Sequence, residues 1–402
     1  MDYPRGLPDK SSFRKVCFCL LATLPTITVA QNNNDANVIG VDYVFKGKDG
    51  GLPTALIEDT AGNLYGTTSS GGSGFGVVFK VDTAHHESVL HAFAGPDGRL
   101  PRGSLVSDRF GSLYGTTSFG GAADLGTVFK IDPNGKETVL HSFTGSPDGR
   151  NPDAGMVMDL AGNLYGTTEF GGTSDLGTIF QIDAGGQHRV LHSFTGASTD
   201  GSDPKAGLIV DSAGNLYGTT FSGGSDGKGT VFLFDTKQNT EHILYNFSGG
   251  TDGGNPLGAV TRANDGTLYG TAGFGGVARS HGCCRPGAGV VFSLAGTSQN
   301  VLYTFTGGVD GAVPSGDLVL SNGVLYGTTQ LGGPGHRGTA FSLSLADGLE
   351  TVLHGFTGRA DGATPQAGLS MNAAGVLYGT ANTGGSAMKG TLFHLRNSSF
   401  TK

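Results

Sequence analysis

Seven copies of the tripeptide Leu-Tyr-Gly constrain the fold of this 402-residue chain more than any other feature of its sequence. The tyrosines are Tyr65, Tyr114, Tyr165, Tyr217, Tyr269, Tyr326 and Tyr378. Consecutive tyrosines lie 49, 51, 52, 52, 57 and 52 residues apart. A fixed period of this size is typical of a solenoid, a repeat array or a β-propeller. The chain therefore contains one unit of about fifty residues, repeated seven times.

Each unit has the pattern of four short strands separated by turns rich in Gly, Asp and Asn. In the third unit the predicted strands are residues 154–159, 163–168, 177–183 and 188–194. This pattern predicts an antiparallel meander. One such sheet cannot bury both of its faces, whereas seven sheets arranged radially around an axis can. A linear β-solenoid is the alternative, although its coils are usually shorter and it needs capping units.

The phase of the repeat predicts a closed ring. Residues 41–45 match the fourth-strand pattern at 139–143, although they precede the first complete unit. The last predicted strand, at 390–395, has a third-strand pattern and no fourth strand follows it. We therefore expect the N-terminal strand to complete the last sheet. The predicted fold class is all-β, a seven-bladed β-propeller of four-stranded antiparallel blades in one domain (31–402), with repeat units over 38–395.

The N-terminal segment has the pattern of a signal peptide, predicted over residues 1–30. Arg14 and Lys15 precede the apolar run 16–24, and small residues at 28–30 offer a cleavage site. The run is too short to cross a bilayer, which takes about 20 apolar residues. The alternative is a disordered leader with an apolar patch. The pattern favours a secreted or periplasmic protein without a transmembrane segment.

The charge balance disfavours polyanionic partners. With 25 Lys and Arg against 33 Asp and Glu, the formal net charge is −8. Affinity for nucleic acid depends on an excess of Lys and Arg that displaces counterions, so we expect no nucleic-acid binding. The Asp-x-Asp-x-Asp-Gly spacing of a calcium loop is absent from the sequence. We expect neither a metal nor a cofactor.

The motifs Val-Leu-His-x-Phe, Asp-Gly-x-x-Pro, Leu-Tyr-Gly-Thr-Thr and Gly-Thr-Val-Phe recur in this order along the chain. In this respect the sequence resembles the Gloeo/Verruco (GloVer) tandem repeat of choice-of-anchor exported bacterial proteins. The resemblance covers about residues 38–395. It implies an exported or surface-attached β-propeller, and it implies no enzymatic activity common to the family.

Residue types that occur in every unit are predicted to have structural roles. Each connection between units contains Asp-Gly followed by a proline, which is the composition of a turn. These aspartates are Asp49, Asp97, Asp148, Asp200, Asp252, Asp310 and Asp361. One fourth-strand position takes only His or Tyr, namely Tyr43, His91, His141, His192, Tyr245, Tyr303 and His354. A position shared by His and Tyr suits a half-buried aromatic rather than a catalytic base. Third-strand phenylalanines are expected to fill the spaces between sheets.

Positions that differ between units are predicted to form a site at one mouth of the propeller. The residues after the seven prolines are Thr54, Arg102, Asp153, Lys205, Leu257, Ser315 and Gln366. The residues after Leu-Tyr-Gly-Thr-Thr or its Thr-Ala variant are Ser69, Ser118, Glu169, Phe221, Gly273, Gln330 and Asn382. Our ligand-binding candidates are Arg102, Asp153, Glu169, Lys205, Phe170, Phe221, Gln330 and Asn382. Charged groups would orient a sugar and aromatic rings would stack on it. The alternative is a solvated rim with compensating charges.

The longest tyrosine spacing reflects an enlarged loop at 277–287 that contains Cys283 and Cys284. Adjacent cysteines can form a strained disulfide or, with His281, bind a soft metal ion. A structural zinc site would need a fourth ligand, and the nearby sequence offers none. For an exported protein we predict the disulfide.

The sequence contains no recognisable nucleophile, phosphate-loop or paired-carboxylate motif. We therefore favour a monomeric exported module that binds carbohydrate or another cell-surface polymer. The alternative is a secreted lyase or hydrolase acting on a polysaccharide or a cyclic lactone. It would use Glu169 or Asp153 as base and Arg102 or Lys205 to hold an anion. A purely structural envelope protein is a third possibility.

Overall fold

The computed structural model describes residues 38–276 and 287–396, and all regular secondary structure in these ranges is β-strand. The strands form six four-stranded antiparallel sheets, one five-stranded sheet and a two-stranded ribbon. The seven large sheets follow one another in chain order as the blades of a β-propeller, which confirms the predicted fold class. Over the described ranges, no helix is long and apolar enough to cross a membrane.

Each blade is a meander whose first strand is nearest the axis. The first strands are Gly51–Glu58, Val106–Ser107, Val157–Met158, Ile209–Val210, Thr261–Arg262, Val319–Ser321 (with Ala312–Pro314 before it) and Ser370–Met371. The second strands are Leu64–Ser70, Leu113–Thr117, Leu164–Thr168, Leu216–Thr220, Leu268–Ala272, Val324–Leu331 and Leu377–Ala381. The third strands are Val77–Val81, Thr127–Ile131, Thr178–Ile182, Thr230–Asp235, Val290–Ala295, Thr339–Ser344 and Thr391–Arg396. The fourth strands are Glu87–Ala92, Glu137–Ser142, His188–Ser193, Thr240–Asn246, Ser298–Thr304, Glu350–Gly355 and, in blade 7, Val38–Val44. The ribbon pairs Gly201–Ser202 with Ser222–Gly223.

The N-terminal strand closes the ring, as the phase of the repeat predicts. Val38–Val44 pairs antiparallel with Thr391–Arg396 and supplies the outer strand of blade 7. The next residue, Phe45, is fully buried, and its ring centroid lies 5.0 Å from that of Phe79 in blade 1. The first described strand therefore joins the last blade and also packs against the first.

Two phenylalanines per unit fill the space between neighbouring blades. Phe93, after the fourth strand of blade 1, meets Phe129 of blade 2 edge to face, with ring centroids 5.1 Å apart. The third-strand members are all fully buried: Phe79, Phe129, Phe180, Phe232, Phe292, Phe341 and Phe393. The glycine of Leu-Tyr-Gly makes room for this ring, since a Cβ on Gly166 would lie 2.6 Å from Cζ of Phe180. The predicted role of these phenylalanines is confirmed.

The first strands are shorter than the sequence pattern predicts. In blade 3 the prediction covered residues 154–159, but only Val157–Met158 pairs with the second strand. The reason lies at the axis, where the backbones of adjacent blades approach closely. A Cβ on Gly103 of blade 2 would lie 2.4 Å from the carbonyl oxygen of Ala154. The residues before Val157 therefore pack against the neighbouring blade instead of extending their own sheet.

The recurring Asp-Gly aspartate joins the turn to the outer strand. Asp148 accepts a hydrogen bond from the backbone N–H of Thr144 (2.9 Å) and lies 3.0 Å from Nε2 of His141. His141 is half-buried, with 20% of its side chain exposed, as expected for this position. The same Asp contact is made by Tyr43, His91, His192, Tyr245, Tyr303 and His354. We call this repeated arrangement the outer-edge network.

Candidate ligand site at the axial mouth

A repeated backbone conformation positions the residues at the mouth. The residue before each connecting proline has φ between +51° and +57°, a left-handed conformation that is uncommon for residues with a Cβ. These residues are Leu52, Leu100, Asn151, Asp203, Asn255, Val313 and Thr364. Each N–H bonds to a carbonyl of the preceding blade, as Leu100 does to Phe75 at 2.8 Å. The residue after the proline is thereby held at the axis.

A cavity of about 580 Å³ lies at the axis, and all seven residues that follow the prolines line it. They are Thr54, Arg102, Asp153, Lys205, Leu257, Ser315 and Gln366. Ser69 and Asn382 also line this cavity. Its volume falls within the range of small-molecule sites, about 300–1,000 Å³. The wall thus combines cationic, anionic, amide, hydroxyl and apolar side chains that differ from blade to blade.

The charged side chains of blades 2, 3 and 4 form two ion pairs. Nη1 of Arg102 lies 2.9 Å from Oδ2 of Asp153, and Nζ of Lys205 lies 2.9 Å from Oε1 of Glu169. The carboxylates are the more enclosed partners, with 18% of the Asp153 side chain and 14% of the Glu169 side chain exposed. Each pair joins adjacent blades. The structure therefore brings these four predicted residues together as internally compensated pairs.

Asp153 also carries an acceptor atom that its ion pair leaves free. Its Oδ1 is buried and has no hydrogen-bond partner among the described residues. A buried acceptor without a donor costs about 1–3 kcal/mol.

The predicted aromatic residues lie beneath cations at the same rim. The guanidinium of Arg150 is 4.5 Å from the ring centroid of Phe170, and Nζ of Lys205 is 4.7 Å from that of Phe221. Phe170 and Glu169 line a smaller neighbouring cavity of about 270 Å³, to which Arg102 and Asp153 also contribute. One face of each ring is therefore covered by a cation and is closed to a sugar.

The two amide candidates occupy different places. Nδ2 of Asn382 donates to Oε1 of Gln366 at 2.6 Å, and both residues line the main cavity. Gln330 lies in the second strand of blade 6 and lines neither cavity. Cys283 and Cys284 lie outside the described residues, so their pairing stays a prediction.

Sequence reasoning missed Asp317, which lies deeper in the same cavity. The equivalent residues of the other blades are small and uncharged: Ala55, Ser104, Gly155, Gly207, Ala259 and Gly368. Asp317 lines the main cavity and also a second cavity of about 330 Å³ further along the first strands. Its Oδ1 accepts a hydrogen bond from the N–H of Ala259 at 2.7 Å, and desolvation raises the pKa of its carboxyl group. The comparison between units, applied one residue before the buried apolar residue of each first strand (Leu318 in blade 6), would have identified it.

The junction between blades 5 and 6 is irregular where Asp317 lies. At other junctions a second-strand threonine donates to a carbonyl of the next blade, as Thr116 does to Ala154 at 2.8 Å. The equivalent Thr271 is buried, and its hydroxyl has no partner among the described residues. The carboxylate of Asp317 instead receives the Ala259 N–H across this junction. Both the side chains and the hydrogen bonding therefore mark this junction as different.

Sequence comparison identifies the family after these observations. The model of the Gloeobacter/Verrucomicrobia repeat matches residues 27–212 and 184–393. The chain belongs to the Gloeobacter/Verrucomicrobia repeat family. This result confirms the resemblance seen in the repeated motifs. No curated protein matches the chain significantly.

Solved structures share the propeller fold of this Gloeobacter/Verrucomicrobia repeat protein at low sequence identity. One is the extracellular domain of a putative hybrid two-component system from B. thetaiotaomicron, at 13% identity and a TM-score of 0.59. The match covers 90% of this chain but 43% of the other, so the chain spans less than half of that protein's length. A gluconolactonase from Xanthomonas campestris matches at 11% identity and a TM-score of 0.47, over 89% of each chain. At these identities the likeness concerns the fold alone.

Proposed function

We propose that this protein is an exported, monomeric β-propeller that binds carbohydrate in the mouth of its axial channel. The observation that carries this proposal is the cavity of about 580 Å³, whose wall includes seven equivalent positions that differ from blade to blade. Different side chains at equivalent positions of one cavity wall can match the groups of an asymmetric ligand. The N-terminal pattern around Arg14 and Lys15 supports export.

The chemistry of the wall suits a hydroxyl-rich ligand. Gln366, Asn382, Ser315 and Thr54 offer neutral polar groups across the cavity. The ion pairs at the rim carry little net charge that would draw an anion. A sugar can exchange hydrogen bonds with donors and acceptors arranged in this way.

The alternative, a lyase or hydrolase, needs a carboxylate that can accept a proton. Its two proposed bases, Asp153 and Glu169, are each engaged by a cation at 2.9 Å. Each ion pair occupies one oxygen of the carboxylate and holds the side chain against a residue of the adjacent blade. These pairs therefore favour the binding module over the enzyme.

The test is a glycan panel followed by calorimetric titration of any ligand that binds. We expect Arg102→Ala and Asp153→Ala to weaken binding at least tenfold. Gln330→Ala is the matched control, because Gln330 follows Leu-Tyr-Gly-Thr-Thr as Glu169 does yet lines neither mouth cavity. Equal loss in all three variants, or no loss in any, would place the ligand elsewhere.

A parallel turnover assay on uronate-containing polymers and cyclic lactones tests the enzyme. Product formation that is abolished by Glu169→Gln would favour the lyase or hydrolase. Saturable binding without product would exclude it for those substrates. If neither binding nor turnover appears, the structural envelope protein is the better account.

A further inference from the structure

Asp317 differs from the other carboxylates of the mouth because none of the described residues places a cation beside it. Asp153 pairs with Arg102, and Glu169 pairs with Lys205. Among the described residues, the only hydrogen bond to the Asp317 side chain comes from the backbone of Ala259. Once the two pairs are set aside, Asp317 is the ionisable side chain that remains among the described residues of the main cavity wall.

Among the described residues, the wall around Asp317 offers little that could pair with it. The wall at this level is formed by backbone and by glycine, alanine and serine, which have no charged group. It is also closely packed, since a Cβ on Gly155 would lie 2.0 Å from Oγ of Ser104. Arg262 of the deeper cavity lies over the ring of Tyr217, 5.7 Å from its centroid. A ligand that enters the mouth is therefore a suitable source of the cationic partner that these described residues do not supply.

The position of Asp317 favours a cationic ligand group next to it. Asp317 lies where the main cavity meets the deeper one, and Ser104, Gly155 and Gly207 also line both. Asp317 is exposed to the channel, so a ligand that enters the mouth can reach it. A hydrogen bond in which a partner is ionised is roughly twice as strong as one between neutral groups. The complement to a single carboxyl group without a cationic partner among the described residues is a compact group with several N–H donors, such as a primary ammonium.

We propose that Asp317 determines the specificity of the mouth and selects a carbohydrate with a primary ammonium group, an amino sugar, over its neutral counterpart. This inference rests on the proposed function, since it assumes that the mouth binds carbohydrate. The ammonium group binds at Asp317, and the sugar hydroxyls contact the polar groups around Asp153 and Gln366. Asp317 acts in binding and needs no chemical step.

The experiment compares two tetrasaccharides of the same length and linkage. One is the β-1,4-linked tetramer of glucosamine and the other is that of N-acetylglucosamine, titrated at pH 6 into the full chain. We expect the amino tetramer to bind at least tenfold more tightly. Asp317→Asn should reduce this preference to less than twofold without weakening the N-acetylated tetramer.

A second variant guards against a folding defect in the first. Asp317→Ala places at this position the residue that blades 1 and 5 carry as Ala55 and Ala259, so the scaffold is known to accept it. It should lose the preference in the same way. Gln330→Ala should keep it. Thermal unfolding of each variant establishes that the folded protein is being titrated.

The outcomes separate this inference from the proposed function. Equal affinities in the unmodified chain, or a preference that survives both Asp317 variants, would overturn selection by Asp317. If Arg102→Ala still abolished binding of both tetramers, the mouth would remain the site. Failure of both tetramers to bind would also overturn selection of amino sugars, and the glycan panel would then decide whether the mouth binds any other carbohydrate.

Discussion

The outer edge and the axial mouth of the propeller are built from the same repeat but follow opposite rules. At the outer edge every unit repeats an Asp that contacts a His or a Tyr of its own fourth strand. At the mouth the residues after the prolines include Arg102, Asp153, Lys205 and Leu257, and no two neighbouring blades agree. The repeated outer-edge residues stabilise the fold, whereas the residues after the prolines vary and line the cavity. Substitutions at the outer edge should therefore change stability, and substitutions at the mouth should change ligand affinity.

The largest expected effect comes from opening the ring. Deletion of residues 38–45 removes the outer strand of blade 7 and the fully buried Phe45. Loss of one buried phenylalanine typically costs about 3–5 kcal/mol, and the exposed strand edge promotes aggregation. We expect loss of the cooperative thermal transition and of the monomer peak in size-exclusion chromatography. A monomer with an unchanged melting temperature would show that the closing strand does not contribute to the stability of the propeller.

The next-largest effect distinguishes the outer edge from the axial mouth. Asp252→Ala at the outer edge removes the acceptor of the Tyr245 hydroxyl (3.0 Å) and of the Ser248 N–H (2.8 Å). We expect a loss of about 2–3 kcal/mol in the free energy of unfolding, with ligand affinity unchanged. Asp153→Ala should change stability by less than about 1 kcal/mol, because its partner Arg102 is 49% exposed. Chemical denaturation of both variants tests the comparison, and equal costs would contradict it.

The outer edge should also make stability depend on pH. Glu87, Glu241 and Glu350 lie in the first two residues of fourth strands, and each interacts with an outer-edge aspartate of the preceding connection. Desolvation, together with the charge of that aspartate, raises the pKa of each glutamate to about 7 from an ordinary 4.5. Between these values the folded state retains protons that the unfolded state has lost, so stability falls as pH rises through this window.

The measurement is the free energy of unfolding between pH 4.5 and 8. Allowing for solvent screening, we expect a loss of about 1 kcal/mol per carboxyl group over this range. Replacing the three glutamates with glutamine, the residue that blade 5 has as Gln299, should flatten the profile. A profile that is unchanged by the triple substitution would contradict this explanation.

The smallest expected effect concerns the backbone conformation of the residue before each connecting proline. Leu100 adopts φ +55° before its proline, and Asn151 and Asn255 adopt nearly the same angle in blades 3 and 5. Asparagine tolerates this conformation better than leucine. Leu100→Asn should therefore stabilise the protein by about 0.5 kcal/mol, measured by denaturation. The same change at Leu113, a buried strand residue, is the control and should destabilise it.

The sequence predicted the fold well because the fold is local and repeated. The Leu-Tyr-Gly period, the proline of each connection and the N-terminal strand pattern each correspond to one structural feature. The mouth was predicted in part. The position after each connecting proline identified Thr54, Arg102 and the other five residues that line one cavity. The pairing of Lys205 with Glu169 depends on the distance between blades, which no period encodes.

Two differences separate the prediction from the structure. Gln330 was expected at the mouth, but it lines neither of the two cavities there. Asp317 was not predicted, because the positions compared between units included only the residue after each proline. In blade 6 that residue is Ser315, two positions before Asp317. Its contact with Ala259 crosses a blade junction, and such contacts become visible only in three dimensions.

The antiparallel clasp of blade 7 has a mechanical consequence. Val38 pairs with Arg396 at one end of the ladder, so the two ends of the described chain leave the ring side by side. Tension applied to both would load the outermost pair first and then each next pair in turn, as in a zipper. Blade 7 would therefore yield to a pulling force before the other six, whose strands are joined within continuous stretches of chain.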